Sequence, residues 1–88
     1  MTVSGGDLSR IQHAARNGRI QLSRHAQEEA ENANVQARDI KNAILTATAV
    51  VAQEQGKFRL EGGHGLDNEP LTVVVREIQP GLFVVTVF

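Results

Sequence analysis

Two hydrophobic rhythms divide this chain. Up to about residue 47, apolar positions recur every three or four residues; from Thr48 they recur every second residue and turn β-branched. Leu8, Ile11 and Ala15 share one helical face behind Asp7, an N-cap residue type, and Asn17-Gly18 supplies a left-handed stop, so the spacing predicts a helix over 7–17. "RIQL" alternates for one short extended step before Ser23, a favoured N-cap, starts a second helix running to about Ala33. On that helix Ala26, Ala30 and Ala33 line one face, and His25, Glu28, Glu29 and Asn32 the other. An alanine face buries little area but lets a neighbouring backbone come close, which suits a helix packed tightly under a sheet.

Asn34 ends that helix, and "QARDIKNAIL" opens a third, with Ile40, Ala43, Ile44 and Ala47 as its stripe and Asp39 in the first turn, where the helix dipole favours an acid. "TAVVAQE", a Gln55-Gly56 turn and "KFRLEG" read as a hairpin with Phe58 and Leu60 on one face. A polar loop, "GGHGLDNEP", leads to two strong strands, "LTVVVREI" and "LFVVTVF", joined by Gln79-Pro80-Gly81. The expected fold is one α+β domain over residues 1–88: two to three N-terminal helices packed on one face of a four-stranded antiparallel sheet.

Composition narrows the chemistry. With no cysteine, disulfide scaffolds, thiol catalysis and cysteine metal sites are excluded. No apolar run reaches membrane-spanning length, and "MTVSGGDLSR" lacks the basic start and apolar stretch of a leader, so a cytoplasmic protein is expected. The net charge of −1 exerts no general pull on nucleic acid, yet residues 1–25 carry +3 and residues 26–88 carry −4, so any nucleic-acid surface has to be local.

Several stretches also carry a resemblance. "IQLSRHAQEEAENANVQARDIKNAI", "GKFRLEG", "PLTVVVREI" and the terminal "VVTVF", in this order over residues 19 to 88, resemble a small bacterial domain family of unknown function grouped with BrnT-like and RelE/ParE-like toxins of type II toxin-antitoxin systems. Members commonly carry arginines along the helix after His-Ala, where this chain has Glu29 and Ala33. The resemblance implies a RelE/BrnT-like fold, cleavage of messenger RNA as the activity, and an antitoxin or immunity protein as partner.

A ribonuclease that works through side chains alone needs a base for the 2′-hydroxyl proton, an acid for the 5′-oxygen, and cations around the phosphorane. His25, Arg59 and Arg76 are the catalytic candidates, and Arg24, Lys57 and His64 the RNA-binding ones. Lys57 and Arg59, two apart on one strand, face away from Phe58 and Leu60, and antiparallel pairing can bring Arg76 to the same side, with Glu61 and Glu77 diluting the patch. The same alternation also describes an ordinary solvated sheet face. His25 equally suits a helix-start histidine pairing with Glu28 or Glu29, and His64 a plain loop residue. His25 and Glu29 at i, i+4 fall short of the three or four ligands a metal needs, so neither metal nor cofactor is expected. His13 reads as surface, Ser23 as a cap and Thr86 as a β-former.

Three functions follow: a toxin-like ribonuclease acting on RNA or the ribosome; a non-catalytic module of the same fold that binds an antitoxin; and a toxin domain of a secreted polymorphic toxin, silenced by an immunity protein.

Overall fold

The computed structural model describes residues 4–88; residues 1–3, part of the stretch read above for a leader, lie outside the described residues. The elements in chain order are α1 (Ser4–Asn17), β1 (Arg19–Leu22), α2 (Arg24–Asn32), α3 (Ala37–Thr46), β2 (Ala49–Ala52), a short 3-10 turn (Glu54–Gly56), β3 (Lys57–Glu61), β4 (Val73–Ile78) and β5 (Gly81–Val87). Each helix begins close to its sequence signal. Asp7 lies inside the first turn of α1 rather than at its cap, bonded to Arg10 Nη1 at 2.9 Å. Asp39 Oδ2 accepts the Gln36 N–H at the start of α3, at 3.0 Å. Asn34, between α2 and α3, takes positive φ and so turns the chain.

The expected sheet of four antiparallel strands is corrected to five strands in a mixed sheet, ordered β1-β5-β4-β3-β2. The meander from β2 to β5 is antiparallel as expected, and β1 joins its far edge parallel to β5, pairing Arg19 to Gly81 and Leu22 to Val84. Alternation in "RIQL" marks extended backbone without naming a partner, because a parallel pairing across most of the chain leaves no local turn signal. What admits β1 is Gly81. Its φ of +114° is closed to other residues, and a Cβ there would strike the Arg19 carbonyl oxygen.

All three helices cover one face of the sheet. Ile11 and Ala15 of α1, Ala26 and Ala30 of α2, and Ile40, Ala43 and Ile44 of α3 pack into one core with Val50, Leu60, Val73, Val75, Leu82 and Val84 from alternate strand positions. Each large aliphatic side chain fully buried there contributes roughly 1.5–3 kcal/mol. The alanines of α2 bring that helix close enough to finish the edge of β5 where β1 stops. The Ser23 N–H donates to the Val84 carbonyl at 2.8 Å. Ser23 Oγ donates to the Val85 carbonyl and accepts the Ala26 N–H, both at 2.9 Å. The hydroxyl is thus a helix cap and an edge-strand partner at once.

Candidate functional site

Strand parity decides what the opposite, helix-free face carries. Lys57, Arg59 and Glu61 alternate with the core residues Phe58 and Leu60, so they face away from the helices. Register then sets Lys57 opposite Arg76 and Arg59 opposite Val74, and Arg76 opposite Phe83. Phe83 in turn pairs with Gln21, which places Arg19 on the same face. Val74 is only 6% exposed yet is not part of the helix-side core. A register shift between Val74 and Val75 leaves Val85 unpaired and sets Thr86 opposite Val74.

The outer face therefore holds four of the nine cationic side chains (Arg19, Lys57, Arg59 and Arg76) and, among the acids, Glu61. Glu77 does not dilute it as the sequence suggested. It lies on the helix side, gripped by Arg10 through Nε at 2.6 Å and Nη2 at 2.9 Å, while the Arg10 guanidinium sits 5.9 Å from the centre of the Phe58 ring. Among the described residues, Lys57, Arg76 and Arg19 have no acidic partner within ion-pair distance. Arg59 Nε lies 2.7 Å from Glu61 Oε2, but its N–H misses that oxygen, so the contact is an ion pair without a hydrogen bond. Like charges placed directly across a strand pair destabilise it, by about 0.2–1 kcal/mol. Lys57 opposite Arg76 is such a pair, and stability gives no reason for it.

His25 lies on α2 with its side chain 66% exposed, and its Nε2 is 3.2 Å from Glu29 Oε2. The other oxygen of Glu29 accepts the Val87 N–H at 2.9 Å, so the carboxylate bridges the imidazole to the edge of β5. Val87 follows Thr86, and the row running inward from Thr86 is Val74 and then Arg59. At a strand spacing of about 4.8 Å, Thr86 and Arg59 are ~10 Å apart across the sheet. His25 is thereby held beside the end of β5, with Arg59 two strands further across the sheet.

The remaining candidates lie apart from this group. Arg24 is 94% exposed, its Nε 3.9 Å from Glu28. His64 belongs to a loop clipped onto α3, on the helix side. Its carbonyl accepts Asn42 Nδ2 at 2.9 Å, its N–H meets Thr46 Oγ1 at 3.1 Å, and a Cβ at the preceding Gly63 would strike the Ala43 carbonyl oxygen. Asp39 Oδ1 accepts the Leu66 N–H from the same loop at 2.9 Å; this bond and the one from Gln36 hold the Asp39 carboxyl below its usual range. Arg19 and Phe83 are the site residues that the sequence reading did not single out; Glu29 was expected beside His25, and its bond to Val87 was not. Parity marks the first two as outward-facing only once β1 and β5 are paired.

A profile described as a domain of unknown function, DUF4258, matches residues 22–88, three quarters of the chain. The chain belongs to the DUF4258 family. The DUF4258 span begins at the last residue of β1 and takes in Ser23, His25, Glu29 and the whole meander, while α1 precedes it. No curated protein and no solved structure matches the chain. Among the described residues no helix is long and apolar enough to cross a membrane, and no three His, Cys, Asp or Glu side chains are grouped to hold a metal ion.

Proposed function

We propose that this DUF4258 domain acts on RNA through its open sheet face, as a toxin-like endoribonuclease whose chemistry is carried by side chains. The observation that carries the reading is the opposed pair Lys57 and Arg76, held without an acid on the helix-free face beside Arg59 and Arg19. Such a group suits a phosphate chain, which supplies the missing negative charge, and the half-buried Phe83 beside Arg76 offers a ring on which a base can stack. His25, beside the end of β5, serves as the base. Its imidazole takes the proton of a 2′-hydroxyl, the 2′-oxygen bonds to phosphorus, and the P–O5′ bond breaks. The products are a 2′,3′-cyclic phosphate and a 5′-oxygen that takes its proton from water. Arg59 and Arg76 neutralise the charge that develops on the phosphorane.

The test is incubation of the purified protein with total and synthetic RNA, alongside its induced expression in a bacterium. Wild-type protein is expected to leave cyclic-phosphate ends and arrest growth, with His25→Ala and Arg59→Ala each lowering cleavage by roughly 100-fold or more. Intact RNA and unimpaired growth with the wild type would sink the enzyme reading.

A second reading is favoured by Glu61, which holds Arg59, and by the net charge of −1. On this reading the face is a non-catalytic platform for an acidic segment of an antitoxin or immunity protein. A stable complex with such a segment, formed by a protein that leaves RNA untouched, would select it.

A further inference from the structure

We infer that the free edge of β2 is a self-association surface, where a second copy of this chain pairs its own β2 antiparallel about a two-fold axis and joins the two sheets into one. The inference stands apart from the proposed RNA chemistry. It starts from the unequal treatment of the two sheet edges. At the β1–β5 edge side chains meet the backbone: Glu29 accepts the Val87 N–H at 2.9 Å, Ser23 Oγ donates to the Val85 carbonyl at 2.9 Å, and Gln27 Nε2 donates to the Leu22 carbonyl at 3.3 Å. At β2 the Gln53 N–H donates to the Lys57 carbonyl at 2.8 Å, which sets the alternation of the β2–β3 ladder. Ala49, Val51 and Gln53 bond to β3, so Val50 and Ala52 turn their N–H and C=O groups outward. Among the described residues no loop backbone meets those groups. Bare edges of this kind are commonly blunted by a lysine, a proline or a bulge, and "AVVA" has none of them.

What fits this edge is the edge itself. Two strands related by an axis normal to the sheet oppose residues of the same side, so one register centres Val51 on the Val51 of the other copy and sets Val50 opposite Ala52 and Ala49 opposite Gln53. The outward groups of Val50 and Ala52 then satisfy those of the other copy. The Val51 pair takes the non-hydrogen-bonded position, where Cα atoms stand about 4.5 Å apart, and each exposed side chain covers the other.

Charge agrees with this pairing. β2 carries none, and β3 has Lys57 at one end and Glu61 at the other, so the antiparallel arrangement brings the Lys57 row of one copy onto the Glu61 row of the other. Arg59 meets its own row, but at three strand spacings, roughly 14 Å, and with Glu61 beside it. The side chains on the β1–β5 edge stand in the way of head-to-tail addition, so the association closes as a dimer instead of growing into a filament. Four strand residues a side bury less than the ~800 Å² per partner of a standard interface, which makes the dimer weak and concentration-dependent.

The test is sedimentation equilibrium and amide hydrogen exchange on the full-length protein from micromolar to millimolar concentration. The wild type is expected to pass from monomer to dimer over that range. The Val50 and Ala52 amides should gain protection with concentration, while those of Ala49 and Val51, already bonded to β3, should not change. Ala52→Pro removes an N–H that the β2–β3 ladder does not use, and Val51→Lys sets like charges face to face at the axis. Each is expected to raise the dissociation constant by about ten-fold or more, with a retained urea unfolding midpoint showing an intact fold. A wild type that stays monomeric up to millimolar concentration, or a dimer that neither substitution weakens, overturns the inference. So does a monomer whose Val50 and Ala52 amides become protected only when an acidic extended peptide is added, an outcome that would give the edge to a strand of another protein.

Discussion

At the scale of residues, the outer face sets charge against stability. Lys57 and Arg76 face each other across β3 and β4 with no carboxylate to separate them, whereas on the helix side Arg10 is matched by both Asp7 and Glu77. Glu77 is thus paired beside the helices, while Lys57 and Arg76 stand unpaired on the open face. Lys57→Glu replaces a repulsive cross-strand pair with an attractive one. The variant is expected to be more stable than the wild type by up to about 1 kcal/mol in urea unfolding while binding RNA at least several-fold more weakly. A variant that gains stability and keeps its affinity for RNA would remove Lys57 from the interface. Much of this scale was legible beforehand: alternation alone put Lys57 and Arg59 opposite Phe58 and Leu60. The placement of Glu77 was not, because its neighbour Arg76 differs from it by one position in parity and only the register of β4 says which of the two faces the helices.

At the scale of elements, local signals and long-range pairing part company. Ser23, Asn34, Gln55-Gly56 and Gln79-Pro80-Gly81 mark ends and turns by their own backbone preferences, and the helices and hairpins appear where these residues placed them. β1 shows the limit. Its four residues announce an extended step, but its partner lies beyond two helices and three strands, and its seat depends on a glycine in that distant partner. Gly81→Ala is expected to cost about 2–3 kcal/mol or more, since the substitution is strained by φ and also collides with the Arg19 carbonyl. Hydrogen exchange of the β1 amides should quicken in this variant before that of β3 and β4. Equal loss of protection across the sheet would show that Gly81 supports the meander as a whole rather than the seating of β1.

At the scale of the whole molecule, a net charge of −1 conceals two unlike surfaces: a sheet face bearing Arg19, Lys57, Arg59 and Arg76 against Glu61, and a remainder in which acids outnumber bases. An average so close to zero predicts little long-range attraction but leaves short-range phosphate contacts intact. If all four cations meet phosphates of single-stranded RNA, the logarithm of the binding constant should fall against the logarithm of salt concentration with a slope of roughly −3. A flat salt dependence in a binding titration would rule out this face as the phosphate contact. By itself the sequence determined the helices, the hairpins and which residues of a strand share a side, because helix and strand periods, caps and turn residues act over a few neighbours. Tertiary structure decided that Lys57 meets Arg76, that β1 adds a fifth strand, and that Glu29 reaches the Val87 N–H at the end of β5. Those outcomes depend on register and on burial summed over the whole core, which no short stretch of chain contains.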